Sequence, residues 1–278
     1  MSIYLILYIK VIYSNIIYNL NKSKYSKIET KKGIFNLPPK DIFFYRRLEN
    51  EKNDHYKFLS FINKIYNKEC SNKNNSIIIG AHIGSFLIPI SKDFDKNYAF
   101  EANPGTFKIL NENLKLNNIN NVLTYNVGVD DKQSKRKFLI NKINTGGSKF
   151  PLKNKSLTLN IDQSKEIEIE TTIVDNLNIK FDFALIDVEG NEINVFKGMQ
   201  KSFKDIQVLV TELSFNHLEK NNQNIEDFFK YLSVSFSRYY IYNYSNKFNN
   251  IEETLNLLYS LKTKIHKYSS LDIIALKN

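Results

Sequence analysis

The sequence is poor in residues that build covalent or metal frameworks. Among 278 residues there is one cysteine, Cys70, which excludes a disulfide framework and a zinc site made of cysteines. The histidines show no metal-ligand spacing; they are His55, His82, His217 and His266. We therefore expect no metal site. Nothing in this composition requires an oxidising compartment, and we predict a cytoplasmic protein.

Long apolar runs are also missing. The longest run near the amino terminus, residues 3–9, is far shorter than the ~17–25 residues of a membrane-spanning helix. A secretory signal would need a basic start and a small-residue cleavage site, and the segment has neither. The pattern favours a helix packed on its own domain, with a helix lying on a membrane surface as the alternative.

The chain has an excess of positive charge but no arginine cluster. Its formal net charge is +10, and residues 1–32 hold six lysines and one glutamate, a net charge of +5. The remaining excess is spread among lysines, without an arginine cluster or an RNA-binding motif. This distribution favours a surface solvated by lysines over a nucleic-acid partner, which stays an alternative. The sequence does not indicate an oligomeric state.

From residue 75 onward, apolar strand patterns alternate with helical ones. This alternation is typical of a parallel sheet covered by helices on both faces. We predict an α/β fold with a mostly parallel seven-stranded sheet in a domain of residues 71–278. Residues 1–70 have no glycine motif and predict a helical extension, whereas residues 136–172 break the rhythm and predict an inserted β-hairpin.

The stretch "IIIGAHIGSFL", residues 77–87, predicts a strand, a glycine turn and a helix. Gly80 and Gly84 bracket the turn, where a backbone can approach a ligand closely. Glu101 ends the next strand, at the spacing where an acid accepts hydrogen bonds from both hydroxyls of a ribose. The turn lacks the G-x-G-x-x-G cradle for a diphosphate. The pattern favours a cofactor with adenine and ribose but no diphosphate, and S-adenosylmethionine (SAM) is the obvious candidate.

A second group of polar residues lies in "IDVEGNE", after another apolar strand. Asp187 and Glu189 are predicted at the carboxyl end of this strand, the edge where open α/β sheets bind ligands. If the strand continues to Glu189, its alternation places both acids on one side. They could orient an amino group, bind a cation or accept a proton from a hydroxyl. The alternative is that they favour the dipole of the next helix, which explains Glu189 better than Asp187.

Seven motifs in order resemble the FkbM-type methyltransferase family over residues 76–215. They are "GAHIGSF", "YAFEANP", "NVGVDD", "NTGGS", "TTIVDNL", "LIDVEGNEINVFKGM" and "LVTEL". The resemblance implies a Rossmann-like class I methyltransferase fold that uses SAM. It also implies methylation of oxygen, often a hydroxyl on a sugar or a glycosylated natural product. The alternatives are an RNA methyltransferase and a degenerate protein that binds SAM without catalysis.

The resemblance also implies roles for individual residues. The SAM loop would comprise Gly80, Ala81, His82 and Gly84. Glu101 would bind the ribose, with Ala102 beside it, and Asn126, Val127 and Gly128 would lie near the adenine. Asp187 and Glu189 would form the reaction centre, with Asp187 beside the methionine end of SAM. Apart from the resemblance, the loop "NTGGS" supplies Asn144 and Ser148, whose hydrogen-bonding groups suit a polyol acceptor; the alternative is a plain glycine turn. We also assign Glu212 to the acceptor.

Three positions depart from the family pattern. The family usually has Asp where this chain has Ile78, Asn where it has His82, and commonly Lys where it has Leu185. The missing Asp normally helps to position the methionine end of SAM. We therefore expect weakened SAM binding, partly offset by Asp187, and expect Ile78→Asp to strengthen it.

Overall fold

The computed structural model describes residues 12, 16–50, 53–154, 164–266 and 269–277. The strands in these ranges are β1 (Lys27–Thr30), β2 (Gly33–Asn36), β3 (Asn75–Ile79), β4 (Lys96–Phe100), β5 (Val122–Tyr125), β6 (Gly128–Val129), β7 (Ser134–Ile140), β8 (Lys165–Thr172), β9 (Phe183–Ile186), β10 (Val208–Ser214), β11 (Arg238–Ile241) and β12 (Ser270–Leu276). The labelled helices are α1 (Ile42–Glu49), α2 (Asp54–Glu69), α3 (Leu87–Ile90), α4 (Pro104–Leu116), α5 (Glu192–Lys197), α6 (Phe215–Lys220), α7 (Ile225–Leu232) and α8 (Ile251–Lys262).

The central sheet has seven strands in the order β11-β12-β10-β9-β3-β4-β5. The five strands β10, β9, β3, β4 and β5 run parallel to one another. Strand β12 runs antiparallel to both β10 and β11. The prediction of a mostly parallel seven-stranded sheet is confirmed.

Strand β3 shows why the sheet is covered on both faces. Ile77 and Ile79 belong to one hydrophobic core, and Ile78 belongs to the core on the opposite face. None of the three side chains is more than 1% exposed. A strand that alternates between two buried faces must be apolar throughout, as these isoleucines are. Helices therefore pack on both faces, as predicted.

Helix α4 begins with a sequence signal that is typical of a helix start. The Asn103 side chain accepts a hydrogen bond from the backbone N–H of Gly105 at 3.0 Å, and Pro104 is the first helical residue. This combination satisfies a free N–H at the start of the helix and presets its backbone. Leu110 and Leu114 are buried against the sheet.

The predicted helical extension is wrong in one part, because β1 and β2 form an antiparallel hairpin before α1. Side chains of α4 hold this hairpin. Asn117 Oδ1 accepts from Ile34 N at 2.8 Å, and Asn113 Oδ1 accepts from Asn36 N at 2.6 Å. These partners lie about 80 residues further along the chain, so the local pattern does not reveal the hairpin.

The amino-terminal segment shares a core with the sheet. Leu48 of α1 and Ile62 of α2 belong to the same buried cluster as Ile78 and Leu185. The segment therefore covers one face of the sheet. The short helix α3 also lies on this face; it occupies only Leu87–Ile90 of the longer helix that the sequence suggests after Gly84.

The insertion forms the predicted hairpin. Strands β7 and β8 pair antiparallel from Ser134↔Thr171 to Ile140↔Lys165. Strand β6 joins β8 in parallel and completes a three-stranded sheet. Because β6 directly follows the edge strand β5, the insertion starts beside the carboxyl edge of the central sheet.

Within the described ranges, no helix is both long enough and apolar enough to cross a membrane. A membrane-surface helix is the alternative for the amino-terminal segment. Residues 1–11 and 13–15 of this segment lie outside the described residues.

Candidate active site

A cavity of about 770 Å³ lies at the carboxyl ends of strands β3, β4, β9 and β10. Its volume is in the range of small-molecule sites, and its position is the usual ligand edge of an open α/β sheet. The glycine turn, the "DVEG" turn, the insertion loop and the amino-terminal segment all contribute to its walls.

Gly80 allows the glycine turn to approach the end of β9. Its φ is +85°, and a Cβ atom there would lie 1.7 Å from the carbonyl oxygen of Asp187. Asp187 N also donates to Ile79 O at 2.9 Å. A side chain at position 80 would therefore force apart the two turns that form the floor of the cavity.

Glu101 lies next to the glycine turn and is 8% exposed. Oε2 accepts from the backbone N–H of His82, and Oε1 accepts from that of Asn103, both at 2.8 Å. Burial raises the pKa of Glu101 to about 7, although these two hydrogen bonds oppose the shift. Each oxygen keeps a lone pair, so the ionised carboxylate can accept both hydroxyls of a ribose.

A hydrogen-bond chain connects the glycine turn to the insertion and the amino-terminal segment. His82 Nε2 lies 2.8 Å from Thr145 Oγ1. The Thr145 hydroxyl donates to Asp41 Oδ2 at 2.7 Å, and its backbone N–H donates to the same oxygen at 2.8 Å. Asp41 also caps α1 through Phe44 N. The sequence patterns did not reveal Asp41 and Thr145, because the link joins residues about 40 to 100 positions apart.

Asp187 and Glu189 line the same cavity, but not through strand alternation. Strand β9 ends at Ile186. Glu189 has a left-handed φ of +54° and Gly190 has a φ of +104°, so the chain turns sharply after Asp187. The turn, and not a continued strand, brings both carboxyls to the cavity.

Carboxyls crowd this end of the cavity. Burial and the charge of Asp187 raise the pKa of Glu189 to about 8. The same two causes raise the pKa of Glu212 well above its usual range. Burial raises the pKa of Asp187, while the positive charge of Arg47 lowers it. Arg47 reaches the cavity from α1, and no sequence motif pointed to it.

Glu192, the last residue of "DVEGNE", holds the turn together. Its Oε1 accepts from Gly190 N at 3.1 Å and from Val188 N at 3.3 Å. Burial raises the pKa of Glu192 to about 7. Glu192 therefore fixes the backbone that carries Glu189. No role for Glu192 was predicted from the sequence, although its position at the start of α5 is a signal for such a contact.

One group of side chains could offer ligands to a cation, against the expectation of no metal site. Glu189, Glu212 and His217 each present one ligand atom, and these atoms lie within 4.8 Å of one another. They come from three separate segments, so no spacing motif reveals them. Lys149 Nζ lies 3.3 Å from His217 Nε2 and already brings a positive charge to this corner.

Most of the predicted site residues line the cavity. They are Gly80, Ala81, His82, Glu101, Ala102, Val127, Gly128, Asn144, Ser148, Asp187, Glu189 and Glu212. Their individual roles toward cofactor and acceptor stay predictions. The Ser148 hydroxyl donates to Thr145 O at 2.8 Å and accepts from Asn141 N at 3.1 Å, so it also shapes the insertion loop.

Two predicted cofactor residues, Gly84 and Asn126, are not among the residues that line the cavity. A Cβ at Gly84 would lie 3.0 Å from Leu110 Cδ1, so this glycine allows close packing on α4. Asn126 Nδ2 donates to Glu101 O at 2.8 Å. Asn126 therefore braces the backbone that carries the ribose acid and does not face the cavity.

Two of the departures from the family pattern are direct neighbours. Ile78 of β3 and Leu185 of β9 are Cα partners across parallel strands, and both belong to the core on the amino-terminal side. They are 1% and 3% exposed. The resemblance implies Asp and Lys at these positions. This chain therefore has apolar side chains at two neighbouring positions where the resemblance implies an acid and a base.

The comparison with known proteins agrees with this geometry. The model of the methyltransferase FkbM domain matches residues 79–251, which is more than half of the chain. No curated protein matches the chain.

Several solved structures are similar to the chain. A methyltransferase from Streptococcus mutans in complex with SAH is 10% identical, with 79% of this chain and 97% of that chain covered and a TM-score of 0.46. The N-methyltransferase NodS from Bradyrhizobium japonicum is 8% identical, with 82% of this chain and 99% of that chain covered and a TM-score of 0.46. TYW2 from M. jannaschii in complex with AdoMet is 16% identical, with 91% of this chain and 86% of that chain covered and a TM-score of 0.41.

The family match covers the glycine turn, Glu101, the insertion and the "DVEG" turn. The sheet order and the cavity at its carboxyl edge agree with the Rossmann-like methyltransferase fold that the resemblance implied. The chain therefore belongs to the FkbM methyltransferase family and is a SAM-dependent methyltransferase.

Proposed function

We propose that the protein transfers the methyl group of SAM to a hydroxyl oxygen of a sugar, a glycan or another small polyhydroxylated molecule. The observation that carries this proposal is the group of carboxyls that lines one end of the cavity: Asp187, Glu189 and Glu212. A hydroxyl must lose its proton when it is methylated, and a carboxylate at the reaction centre can accept that proton.

The residues of the cavity fit SAM. Glu101 has a free lone pair on each oxygen beside the glycine turn, and Gly80 lets this turn approach the end of β9 closely, because a Cβ has no room there. When bound, SAM supplies an electrophilic methyl group on a positively charged sulfur. The carboxyls favour this positive charge, and the enclosing walls limit access of water.

We assign the proton acceptor to Glu189. Burial and Asp187 raise its pKa to about 8, close to the pH at which a general base works well. Asp187 then orients the hydroxyl. SAM would supply the methyl group for the new carbon–oxygen bond, and its sulfur would keep the electron pair of the broken carbon–sulfur bond. Glu189 would hold the proton that the acceptor hydroxyl gives up.

The polar groups of the insertion loop support a polyhydroxylated acceptor. Asn144 and Lys149 line the cavity together with Asn216 and His217 of α6. Amide, ammonium and imidazole groups can donate or accept several hydrogen bonds at once, which suits a molecule with several hydroxyls.

Transfer from methyl-labelled SAM to a panel of monosaccharides, glycans, nucleosides and RNA tests this proposal. We expect label in a saccharide as an acid- and base-stable methyl ether. Asp187→Asn and Glu189→Gln should each lower turnover by ~10²–10⁴. Asp131→Asn is the matched control, because Asp131 is exposed and does not line the cavity.

Label that enters only RNA or only nitrogen atoms would overturn the proposed acceptor class. Wild-type turnover in both Asp187→Asn and Glu189→Gln would overturn the proposed chemistry. Binding of SAH without transfer to any hydroxyl in the panel would favour a degenerate cofactor-binding protein.

A further inference from the structure

Three positions depart from the family pattern, and His82 is the one of them with a titratable side chain. Its ring lines the cavity. Its backbone has a left-handed φ of +50° within the glycine turn. The ring packs edge-on against Phe44 with 4.5 Å between ring centroids, and Nε2 contacts Thr145. Phe44 and Thr145 therefore hold the ring in one orientation.

The hydrogen-bond chain decides which ring nitrogen carries the proton. Asp41 accepts three hydrogen bonds, two of them from Thr145 and one from Phe44 N. When Asp41 is ionised, the Thr145 hydroxyl gives its one proton to Asp41, so its oxygen accepts at the contact with His82. His82 must then donate from Nε2. In a neutral imidazole this leaves Nδ1 with a lone pair.

His82 Nδ1 is open toward the cavity. In the part of the chain that the structure describes, the ring's only hydrogen bond is the one at Nε2. Nδ1 is also not among the buried nitrogens that lack a partner, unlike His55 Nε2 and His217 Nδ1. Since His82 lines the cavity, Nδ1 offers an acceptor to a bound ligand.

We propose that His82 Nδ1 accepts a hydrogen bond from the α-ammonium group of the methionine part of SAM. His82 would thus supply the acceptor that is lost with an apolar residue at position 78. The inference rests on the proposed function, in which Glu101 binds the ribose and Val127 and Gly128 lie beside the adenine. Under that arrangement the ammonium is a donor of SAM for which the proposed function names no acceptor.

The imidazole keeps its lone pair at neutral pH. Burial, together with the positive charge of Arg47, lowers the pKa of His82 to about 3. A neutral acceptor next to the cofactor loop has a further advantage, since it adds no charge to the crowded carboxyls. Asn, the family residue, could accept the same hydrogen bond with its amide oxygen.

Calorimetric titration with two ligands tests the proposal. The ligands are SAH and the SAH analogue that lacks only the α-amino group. We expect His82→Leu to weaken SAH binding by about tenfold, because a hydrogen bond to a charged donor is lost. Binding of the deamino analogue should stay within about twofold of wild type. His82→Asn should restore SAH binding and leave a similar preference for SAH over the analogue.

Thr145→Val tests the role of the hydrogen-bond chain without touching the glycine turn. This variant removes the acceptor for Nε2–H and lets the proton move to Nδ1. Nitrogen-15 NMR of labelled histidine should show the Nε2–H tautomer in the wild type and a mixture in Thr145→Val. SAH binding should weaken in this variant, and binding of the deamino analogue should not.

The proposal is overturned if His82→Leu weakens both ligands equally or neither of them. It is also overturned if the wild-type protein shows the Nδ1–H tautomer. Binding of SAH by the wild type, with loss in Glu101→Gln, would keep the proposed function intact in either case. Thermal unfolding of each variant identifies a loss that comes from misfolding.

Discussion

The carboxyl of Glu101 has to be ionised to accept two ribose hydroxyls, yet its burial favours the neutral form. Its pKa is raised to about 7, so the free protein holds a proton there over much of the neutral range. A ligand that needs the carboxylate must displace this proton, and its affinity then increases as the pH increases through 7.

We expect SAH to bind about tenfold more weakly at pH 6 than at pH 8 because of Glu101. Glu101→Gln cannot ionise, so this tenfold part of the pH dependence should disappear, and affinity at pH 8 should fall at least tenfold. Calorimetry at the two pH values measures both effects. An unchanged pH ratio in Glu101→Gln would assign the titration to another group.

The neighbouring positions Ile78 and Leu185 change the expectation for Ile78→Asp. A carboxylate at position 78 would lie next to Leu185, among core side chains at the edge of the cavity that both residues line. A buried charge without a partner is strongly destabilising, whereas an opposite charge on the adjacent strand compensates it.

We therefore expect Ile78→Asp alone to lower the free energy of unfolding by about 3 kcal/mol and to weaken SAH binding. The double variant Ile78→Asp/Leu185→Lys should recover most of the stability. Urea unfolding of the two single variants and the double variant measures the coupling. Equal stability of Ile78→Asp and the double variant would show that the two positions do not act as a pair.

Among the elements, the insertion is tied to the central sheet by one arginine of β7. Arg136 Nη1 donates to Asp130 Oδ2 and, at 3.3 Å, to Asn191 Oδ1, directly before α5. The guanidinium also lies 4.0 Å above the centre of the Phe150 ring. The Asp130 side chain is only 2% exposed, so it depends on this partner.

Arg136→Met should lower the free energy of unfolding by about 3 kcal/mol, because it leaves the Asp130 carboxylate buried without its cation. Arg136→Met/Asp130→Asn should recover part of this loss. Lys137→Met is the matched control on the same strand, since the Lys137–Glu166 pair is exposed and should contribute nothing measurable. Denaturant unfolding measures the free energy of unfolding of each variant. Equal losses of this free energy in Arg136→Met and in Lys137→Met would contradict this account.

At the scale of the whole molecule, several buried acids in the cavity and elsewhere resist ionisation. Burial raises the pKa values of Glu101, Glu192 and Asp272 to about 7 and that of Glu189 to about 8. A group with a raised pKa contributes stability that is fully present below the unfolded value, near 4.5, and is lost as the pH rises through the folded value.

Three histidines with lowered pKa values act in the opposite direction at lower pH. Burial lowers the pKa of His82 to about 3 and those of His55 and His217 to about 4. Their contribution is present above the unfolded value of about 6.5 and is lost as the pH falls. Above pH 6.5 the histidines therefore stay constant, and the carboxyls alone decide the trend.

We expect the free protein to lose about 3 kcal/mol of stability between pH 6.5 and pH 9. Saturating SAM should reduce this loss, because its positive charges favour the ionised carboxyls. Thermal unfolding with and without SAM at several pH values checks the prediction. A Tm of the free protein that rises over this range would contradict the assigned titrations.

Local patterns were sufficient for much of the fold. Isoleucines 77–79 mark a strand buried on both faces, Asn103 and Pro104 mark the start of α4, and the alternation in "KEIEIETT" marks β8. These signals depend on the backbone and on near neighbours, so the sequence alone contains them. The ordered family motifs likewise point to Glu101, Asp187 and Glu189, since each of these acids lies within a short contiguous motif.

Contacts between distant segments decided the rest. The β1–β2 hairpin depends on asparagines of α4, the proton on His82 depends on Thr145 and Asp41, and Ile78 meets Leu185 only across two strands. The sequence by itself determined the fold class, the family and the acids of the reaction centre, because each has a local signature. Only the tertiary structure decided the walls of the cavity, the tautomer of His82 and the pairing of the departures, because pKa, desolvation and hydrogen-bond direction depend on neighbours that the chain brings together in space.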